Sequence, residues 1–337
     1  MRKPVLPCLA VERAPHGLRV QGTQLYVDPV GRTQIGFLAH ARGARATLPE
    51  RTVVSARTLA LLEASQQRAL RKAAPLPAAF GQSFALAGLR LSLHPAGHVL
   101  GSAQIRCESV NGHVLVYAAD LGGFGERAPA TAEACERLPC DVLVMRASYG
   151  HPRFSFPPRA QVLADLATFV RGALAERRTP VVLAASIGGA QEAMRALEGH
   201  EISTHPAILR AAEVYRAQGV ELPAASPLGT VRFGQVLLLP ADLRARRRIG
   251  SLGPYRTCLL SGRASIPGFA EKLGVDRILP ISDHAGFDDL IDYALHSGAR
   301  SVHTVHGYAR DLAEELRRRG IEAHPIGEAH RQLELFS

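Results

Sequence analysis

Through the first 120 residues, apolar and polar positions alternate in short runs broken by turn residues. Gly17 to Asp28 alternates through Leu18 and Val20, then runs Leu25, Tyr26, Val27, and Thr33 to Ala39 holds the run Ile-Gly-Phe-Leu-Ala. Thr52–Val54 reads as a short strand followed by a helix over about Ser55–Leu70. Phe84–His94, Ala103–Ser109 and His113–Ala119 predict a strand meander, and Asp141–Arg146 predicts a buried strand. From Pro157 the pattern changes. Gln161 to Arg177 sets Val162, Leu163, Leu166, Phe169, Val170 and Leu174 at helical spacing. Strands at Val181-Val-Leu-Ala-Ala, Val236-Leu-Leu-Leu and Thr257-Cys-Leu-Leu then alternate with helices at Ala190–Leu197 and Ala207–Gln218. Such alternation implies a mostly parallel sheet with helices on its faces. After Asp283 come a helix (Phe287–Ser297), a strand (Ser301–Val305) and a helix (Ala309–Arg319). The expectation is an α/β chain in which residues 155–284 are inserted between 1–154 and 285–337.

Composition narrows the class. With 47% hydrophobic residues in 337, the chain can bury a sizeable core, which excludes a wholly disordered protein. No apolar run reaches membrane-spanning length, so no membrane association is expected. The start, Met-Arg-Lys-Pro-Val-Leu-Pro-Cys, has no long apolar stretch and predicts no signal peptide. Cysteines stand at 8, 107, 135, 140 and 258 with no Cys-x-x-Cys pair, which predicts neither a disulfide framework nor a thiolate zinc site. A soluble, cytoplasmic protein is the simplest expectation. Forty Lys and Arg face thirty Asp and Glu, and only Lys3, Lys72 and Lys272 are lysines. That balance suits a polyanion partner, but a solvated arginine-rich surface explains it equally well. Tryptophan is absent, so a base-stacking platform is not evident.

Three segments carry candidate chemistry. The first is Pro95-Ala-Gly-His-Val-Leu-Gly-Ser-Ala, with His98. The second is Val116-Tyr-Ala-Ala-Asp-Leu-Gly, a strand ending on Asp120. The third is Ile281-Ser-Asp-His-Ala-Gly-Phe, followed by Val302-His-Thr-Val-His-Gly-Tyr. A His or Asp at the end of an apolar strand projects into a cleft at the sheet edge, where several can converge on a metal.

The ordered set resembles the metallo-β-lactamase superfamily, and within it the β-CASP branch of nucleic-acid hydrolases. It is nearest in pattern to the bacterial ligase-associated DNA exonucleases and mRNA 3′-end-processing nucleases. The likeness covers most of the chain. Tyr26-Val-Asp-Pro, Pro95–Ala103, Ala119-Asp120, Tyr149-Gly150, Ser261-Gly262, Ser282-Asp-His284 and Val305-His306-Gly307 carry it in order. It implies an αββα sandwich of two sheets with outer helices, and a β-CASP α/β insert capping its cleft. It further implies two zinc ions with an activated water, and phosphodiester cleavage by in-line displacement.

One motif departs from the pattern. Where the superfamily has H-x-H-x-D-H, this chain has His40-Ala-Arg-Gly-Ala-Arg45. His40 is kept, and Arg42, Ala44 and Arg45 replace the other three. The branch's acidic residue is replaced by Arg146. The resemblance then leaves one metal with only Asp120 and His306, and the other with His40, His98 and Asp120, a two-His-one-carboxylate set. A guanidinium cannot ligate, and at ~4 Å it repels a dication by several kcal/mol even at an effective dielectric near 20. The expectation is at most one ion, zinc or manganese, or none. His284 is the resemblance's candidate general acid. Arg42, Arg45 and Arg146 keep the cleft positive, either paired to Asp28, Asp120 and Asp283 or holding phosphate.

Elsewhere, Arg244, Arg246, Arg247 and Arg248 form a basic run, either a phosphate-backbone contact or a solvated loop. Arg317–Arg319 close a helix, where the dipole favours cations. His303 lies three residues before His306 on a strand and therefore faces away from it, as a structural residue. His94, His113, His151, His200, His205 and His324 read as surface or turn residues.

Three functions remain open. One is a catalytically impaired nucleic-acid-binding subunit in DNA repair or RNA processing. Another is an active single-metal DNA or RNA phosphodiesterase, an exonuclease using His40, His98 and Asp120 with His284 as proton donor. The third is a purely structural subunit that pairs with an active nuclease paralogue and makes no nucleic-acid contact; a DNA ligase is a further candidate partner of the chain.

Overall fold

The computed structural model describes residues 9–42, 47–241 and 253–327. The first sheet has six strands in chain order: β1 (Val11–Ala14), β2 (Gly17–Val20), β3 (Leu25–Val27), β4 (Ile35–Phe37), β5 (Arg51–Ser55) and β6 (Ala74–Ala78). It is antiparallel up to β3 and parallel from there on. Between β5 and β6 the one expected helix is two, α1 (Ala56–Ser65) and α2 (Gln67–Leu70). Ser55 caps α1 by accepting the Thr58 N–H at 3.1 Å. The break falls at Gln66, whose side chain leaves the helix surface to donate to the Ala41 carbonyl at 3.1 Å. That bond fastens the loop that carries His40.

A meander follows: β7 (Ser83–Leu86), β8 (Leu89–Pro95), β9 (Ala103–Glu108) and β10 (Val114–Ala118), joined in parallel by β11 (Val142–Arg146). The chain then builds a separate sheet. In order come α3 (Arg159–Ala175), β12 (Thr179–Ala184), α4 (Gly189–Ala196), β13 (Ile202–Thr204), α5 (Pro206–Ala217), β14 (Ala225–Pro227), β15 (Val236–Pro240), β16 (Tyr255–Leu260), α6 (Phe269–Leu273) and β17 (Arg277–Leu279). Its strands pair in parallel in the order β14-β13-β15-β12-β16-β17. Finally α7 (Phe287–His296), β18 (Ser301–Val305), α8 (Ala309–Arg318) and β19 (Glu322–Pro325) return to the meander sheet, whose order is β19-β18-β11-β10-β9-β8-β7.

The first two sheets bury one core between them, with Val20, Phe37 and Val53 facing Leu91, Ile105, Tyr117 and Val144. The far face of the meander sheet, Val116, Leu143 and Met145, is covered by Leu290 and Tyr293 of α7 and Leu312 and Leu316 of α8. Leu61 and Leu62 of α1 pack with Val54. The third sheet is buried on both faces: Val182, Leu238 and Cys258 lie against α3 and α4, and Val181, Leu237 and Leu259 face the other way. Parallel strands covered on both sides read as continuous apolar runs, which is why these were legible. The class is α/β.

Polar bonds fix the third sheet against the rest. Glu192 of α4 accepts from the Thr131 N–H at 2.8 Å and its hydroxyl at 2.6 Å. Arg159 of α3 donates to the Ser282 carbonyl at 2.6 Å, and Tyr215 of α5 accepts the Leu100 N–H at 3.2 Å.

Candidate functional site

The site forms where strand ends and turns from all three sheets meet. Asp28, just past β3, has φ 43° and accepts the Ala39 N–H and the Tyr117 hydroxyl, each at 3.0 Å. These bonds hold the segment entering His40. His98 lies in the turn between β8 and β9, where the Ser102 hydroxyl accepts the N–H groups of His98 and Val99 at 2.9 and 3.1 Å. Asp120 follows β10, and Arg146 ends β11. Parallel register sets Ala118 opposite Met145, so Arg146 stands level with Ala119, one residue before Asp120, and the two side chains meet just past the strand ends.

Two ion pairs dominate the pocket. Arg146 Nη1 donates to Asp120 Oδ2 at 2.9 Å, and Arg42 Nη1 donates to Asp283 Oδ2 at 2.9 Å. Both carboxylates are buried, with side chains only 4% exposed. Asp283 also accepts the Gly189 N–H at 3.2 Å, at the start of α4. Asp120 takes further donors: His40 Nε2 at 3.1 Å on Oδ2 and the Ser148 hydroxyl at 3.2 Å on Oδ1, with His284 Nε2 3.5 Å away.

Electrostatics follow from this geometry. Burial alone would push the Asp120 carboxyl up, but Arg146 first, then His284 and His40, carry it well below the usual carboxylate range. Burial raises Asp283 from its ordinary value against the pull of Arg42 and Arg159. Burial also drives the histidines down. His98 falls well below its ordinary value, with His284 and His40 adding to the effect. His284 is pushed down to about 3, with Asp120 opposing and Arg42 and Arg146 adding.

His40, His98 and Asp120 form a buried group of three metal-type donors within 4.8 Å of one another. Their hydrogen bonds decide whether an ion fits. The Arg42 backbone N–H donates to His40 Nδ1 at 3.1 Å, so that nitrogen is an acceptor and Nε2 carries the proton. His40 therefore turns an N–H, not a lone pair, toward Asp120. His98 is the reverse: Nδ1 donates to the Asp283 carbonyl at 3.1 Å, leaving Nε2 a buried lone pair with no partner. Asp120 is hydrogen-bonded on both oxygens. This arrangement presents two open donors, His98 Nε2 and the remaining lone pair of Asp120 Oδ1, beside two guanidiniums, too few to fit a metal centre as it stands. Binding an ion would require His40 to exchange tautomers and Arg146 to release Asp120.

The other expected site residues fall as follows. His306, with φ 57°, is exposed and lines the cleft without joining the three-donor group. His284 lies in the cleft, its ring 4.3 Å from that of His98. His303 faces β19, where its ring lies 6.3 Å from that of His324. Arg45, Arg244, Arg246, Arg247 and Arg248 lie outside the described residues. Sequence reasoning missed Ser148, Gly189 and the Arg159–Glu192 pair. Only Ser148 had a signal, being two positions beyond Arg146 and so on the same side of an extended chain.

No family model matches the chain. Over 325 residues, 95% of its length, it is 34% identical to a probable DNA ligase of Opitutus terrae, of which it covers 31%. It thus spans about a third of that relative's length. It is 31% identical over 124 residues to the uncharacterized protein in lig 3'region of Acidianus ambivalens, covering 37% of this chain and 82% of that protein. The chain belongs to one family with that Acidianus protein. Over 112 residues it is 32% identical to the transcription termination factor FttA of Methanothermobacter thermautotrophicus, covering 33% of this chain and 17% of FttA. Its fold is similar to a crystal structure of a protein of unknown function from Enterococcus faecalis V583, with TM-score 0.59, 11% identity, and 87% of this chain and 79% of that one covered. Among the described residues, no helix is long and apolar enough to cross a membrane.

Proposed function

We propose that the protein is a metallo-β-lactamase-type chain whose residues 155–284 form a β-CASP insert, and that it binds nucleic acid in its cleft without hydrolysing it. The observation that carries this reading is the pair of contacts Arg146–Asp120 and Arg42–Asp283. Where a phosphodiesterase needs carboxylates free to hold cations, these carboxylates have guanidinium counter-ions of their own. His284, pushed down to about 3, is neutral at physiological pH and carries no spare proton for a leaving group. The face-to-face sheets with outer helices support the fold assignment. The likeness to a DNA ligase chain and to FttA supports a role beside nucleic acid, with a DNA ligase or an active nuclease as working partner in DNA repair or RNA processing. The test incubates purified protein with labelled single-stranded and duplex DNA and RNA, with zinc, manganese or chelator. The expected result is salt-dependent binding and no metal-dependent cleavage. Cleavage that chelator abolishes and His98→Ala removes would overturn the reading.

A second reading keeps hydrolysis at a single ion held by His40, His98 and Asp120, with His284 as proton donor. The buried lone pair on His98 Nε2 favours it. It requires that added metal raise the melting temperature of the wild-type protein and not that of His98→Ala.

A further inference from the structure

We infer that Arg263 is the phosphate anchor of the cleft, and that its ligand is one phosphate group of a single nucleic-acid strand. This rests on the nucleic-acid binding proposed above and relocates the contact from the old metal pocket to the third sheet.

A charge count of the cleft leads to it. The cleft encloses about 370 Å³, the size of a small-molecule pocket and suited to a nucleotide rather than a duplex. Its lining holds three arginines, Arg42, Arg146 and Arg263, and two carboxylates, Asp120 and Asp283. Arg42 and Arg146 are each committed to a buried carboxylate at 2.9 Å. Their charge is neutralised locally, and drawing either onto a ligand would strand an anion in the interior. Among the described residues Arg263 has no carboxylate partner, so the cleft's excess positive charge sits there.

The backbone fixes its position. Gly262–Ser265 form a single tight turn in which the Ser261 hydroxyl accepts the Arg263 N–H at 3.2 Å. A Cβ at Gly262 would come within 2.6 Å of Tyr149 Cζ and 2.8 Å of Phe156 Cζ, so the turn is seated directly on those rings. Tyr149 is itself wedged edge-on between Phe154, Phe156 and His284. Arg263 is therefore held by a rigid support and still half-exposed toward the cleft. A guanidinium so placed can grip two phosphate oxygens at once, which an ammonium cannot.

The test measures anisotropy of fluorescein-labelled DNA and RNA single strands over a salt series, with wild type, Arg263→Gln and Arg263→Lys. The expected result is a roughly tenfold weakening for R263Q, a salt slope shallower by about one, and partial recovery in R263K. Wild-type binding with unchanged affinity and slope in R263Q would overturn the anchor alone. No wild-type binding to any strand would overturn the nucleic-acid reading itself. If R263Q fails to fold, phenylglyoxal modification of wild type, mapped by mass spectrometry, decides the matter. Strand should protect Arg263, and labelling of Arg263 unaffected by strand would refute the anchor. Equal protection by millimolar inorganic phosphate alone would assign the site to free phosphate and refute the strand.

Discussion

Arg146 Nη1 stands 2.9 Å from Asp120 Oδ2 at the ends of two adjacent parallel strands, with Asp120 4% and Arg146 26% exposed. The carboxylate cannot reach bulk water, so its charge depends on donors the protein supplies. Breaking such a buried pair by removing one partner typically costs about 3–5 kcal/mol, because the other charge is left behind. Arg146→Met should therefore lower the unfolding free energy by about that amount in urea titrations. Adding Asp120→Leu to it should restore part of the loss, since no buried charge then lacks a partner. A double variant no more stable than R146M would refute the pair's role.

Gly188 predicts a second cost. It adopts φ 92°, and a Cβ there would lie 2.7 Å from Val99 Cγ1 and 2.8 Å from Asp283 Cγ. The close approach lets Asp283 reach the Gly189 N–H while holding Arg42. Gly188→Ala should destabilise the protein by about 1–3 kcal/mol from backbone strain alone. Thermal melts beside Gly199→Ala, which shares a positive φ but has open space around it, separate crowding from strain. Equal shifts in the two variants would remove crowding from the account.

Acid should unfold the protein through its histidines. His284 is held at about 3 and His98 well below its ordinary value, so the unfolded chain binds protons near pH 6.5 that the native state refuses. Stability is then full above about pH 6.5 and falls as pH drops toward the folded values, by up to about 1.4 kcal/mol per pH unit for each histidine. Asp120 acts in the same direction at lower pH: its depressed carboxyl contributes stability above about pH 4 that is lost as pH falls further. Urea titrations of chelator-treated protein between about pH 7 and pH 4 should show this decline, and His284→Gln should flatten it. A flat wild-type profile would contradict the buried, neutral state of both rings.

Much of this was legible in the residue order. Period-two and helical spacing located the meander, α3 and three strands of the third sheet, β12, β15 and β16, because buried parallel strands such as Val181-Val-Leu-Ala leave an unbroken apolar run. Short or proline-bearing strands were not. Ala74–Ala78 is Ala-Pro-Leu-Pro-Ala, and prolines argue against a strand unless it lies at a sheet edge, where β6 sits. Ile202–Thr204 and Arg277–Leu279 are three residues each, too short to show a period. Within the site, strand-end residues His98, Asp120 and Arg146 could be picked out. Of the carboxylates weighed as arginine partners, Asp120 and Asp283 do pair with Arg146 and Arg42. Which arginine takes which acid depends on register and loop path, and no spacing encodes that. The tautomer of His40 is set by a backbone N–H two residues on, which is visible only in three dimensions.

The most direct test is the metal content of natively purified protein, measured by elemental analysis beside Arg146→Asp/Arg42→His. If guanidiniums have taken over the counter-ion role, the wild type should retain no stoichiometric zinc or manganese, and the double variant, with two donors restored and two cations removed, should gain metal. One or more tightly held ions per wild-type chain would contradict the account.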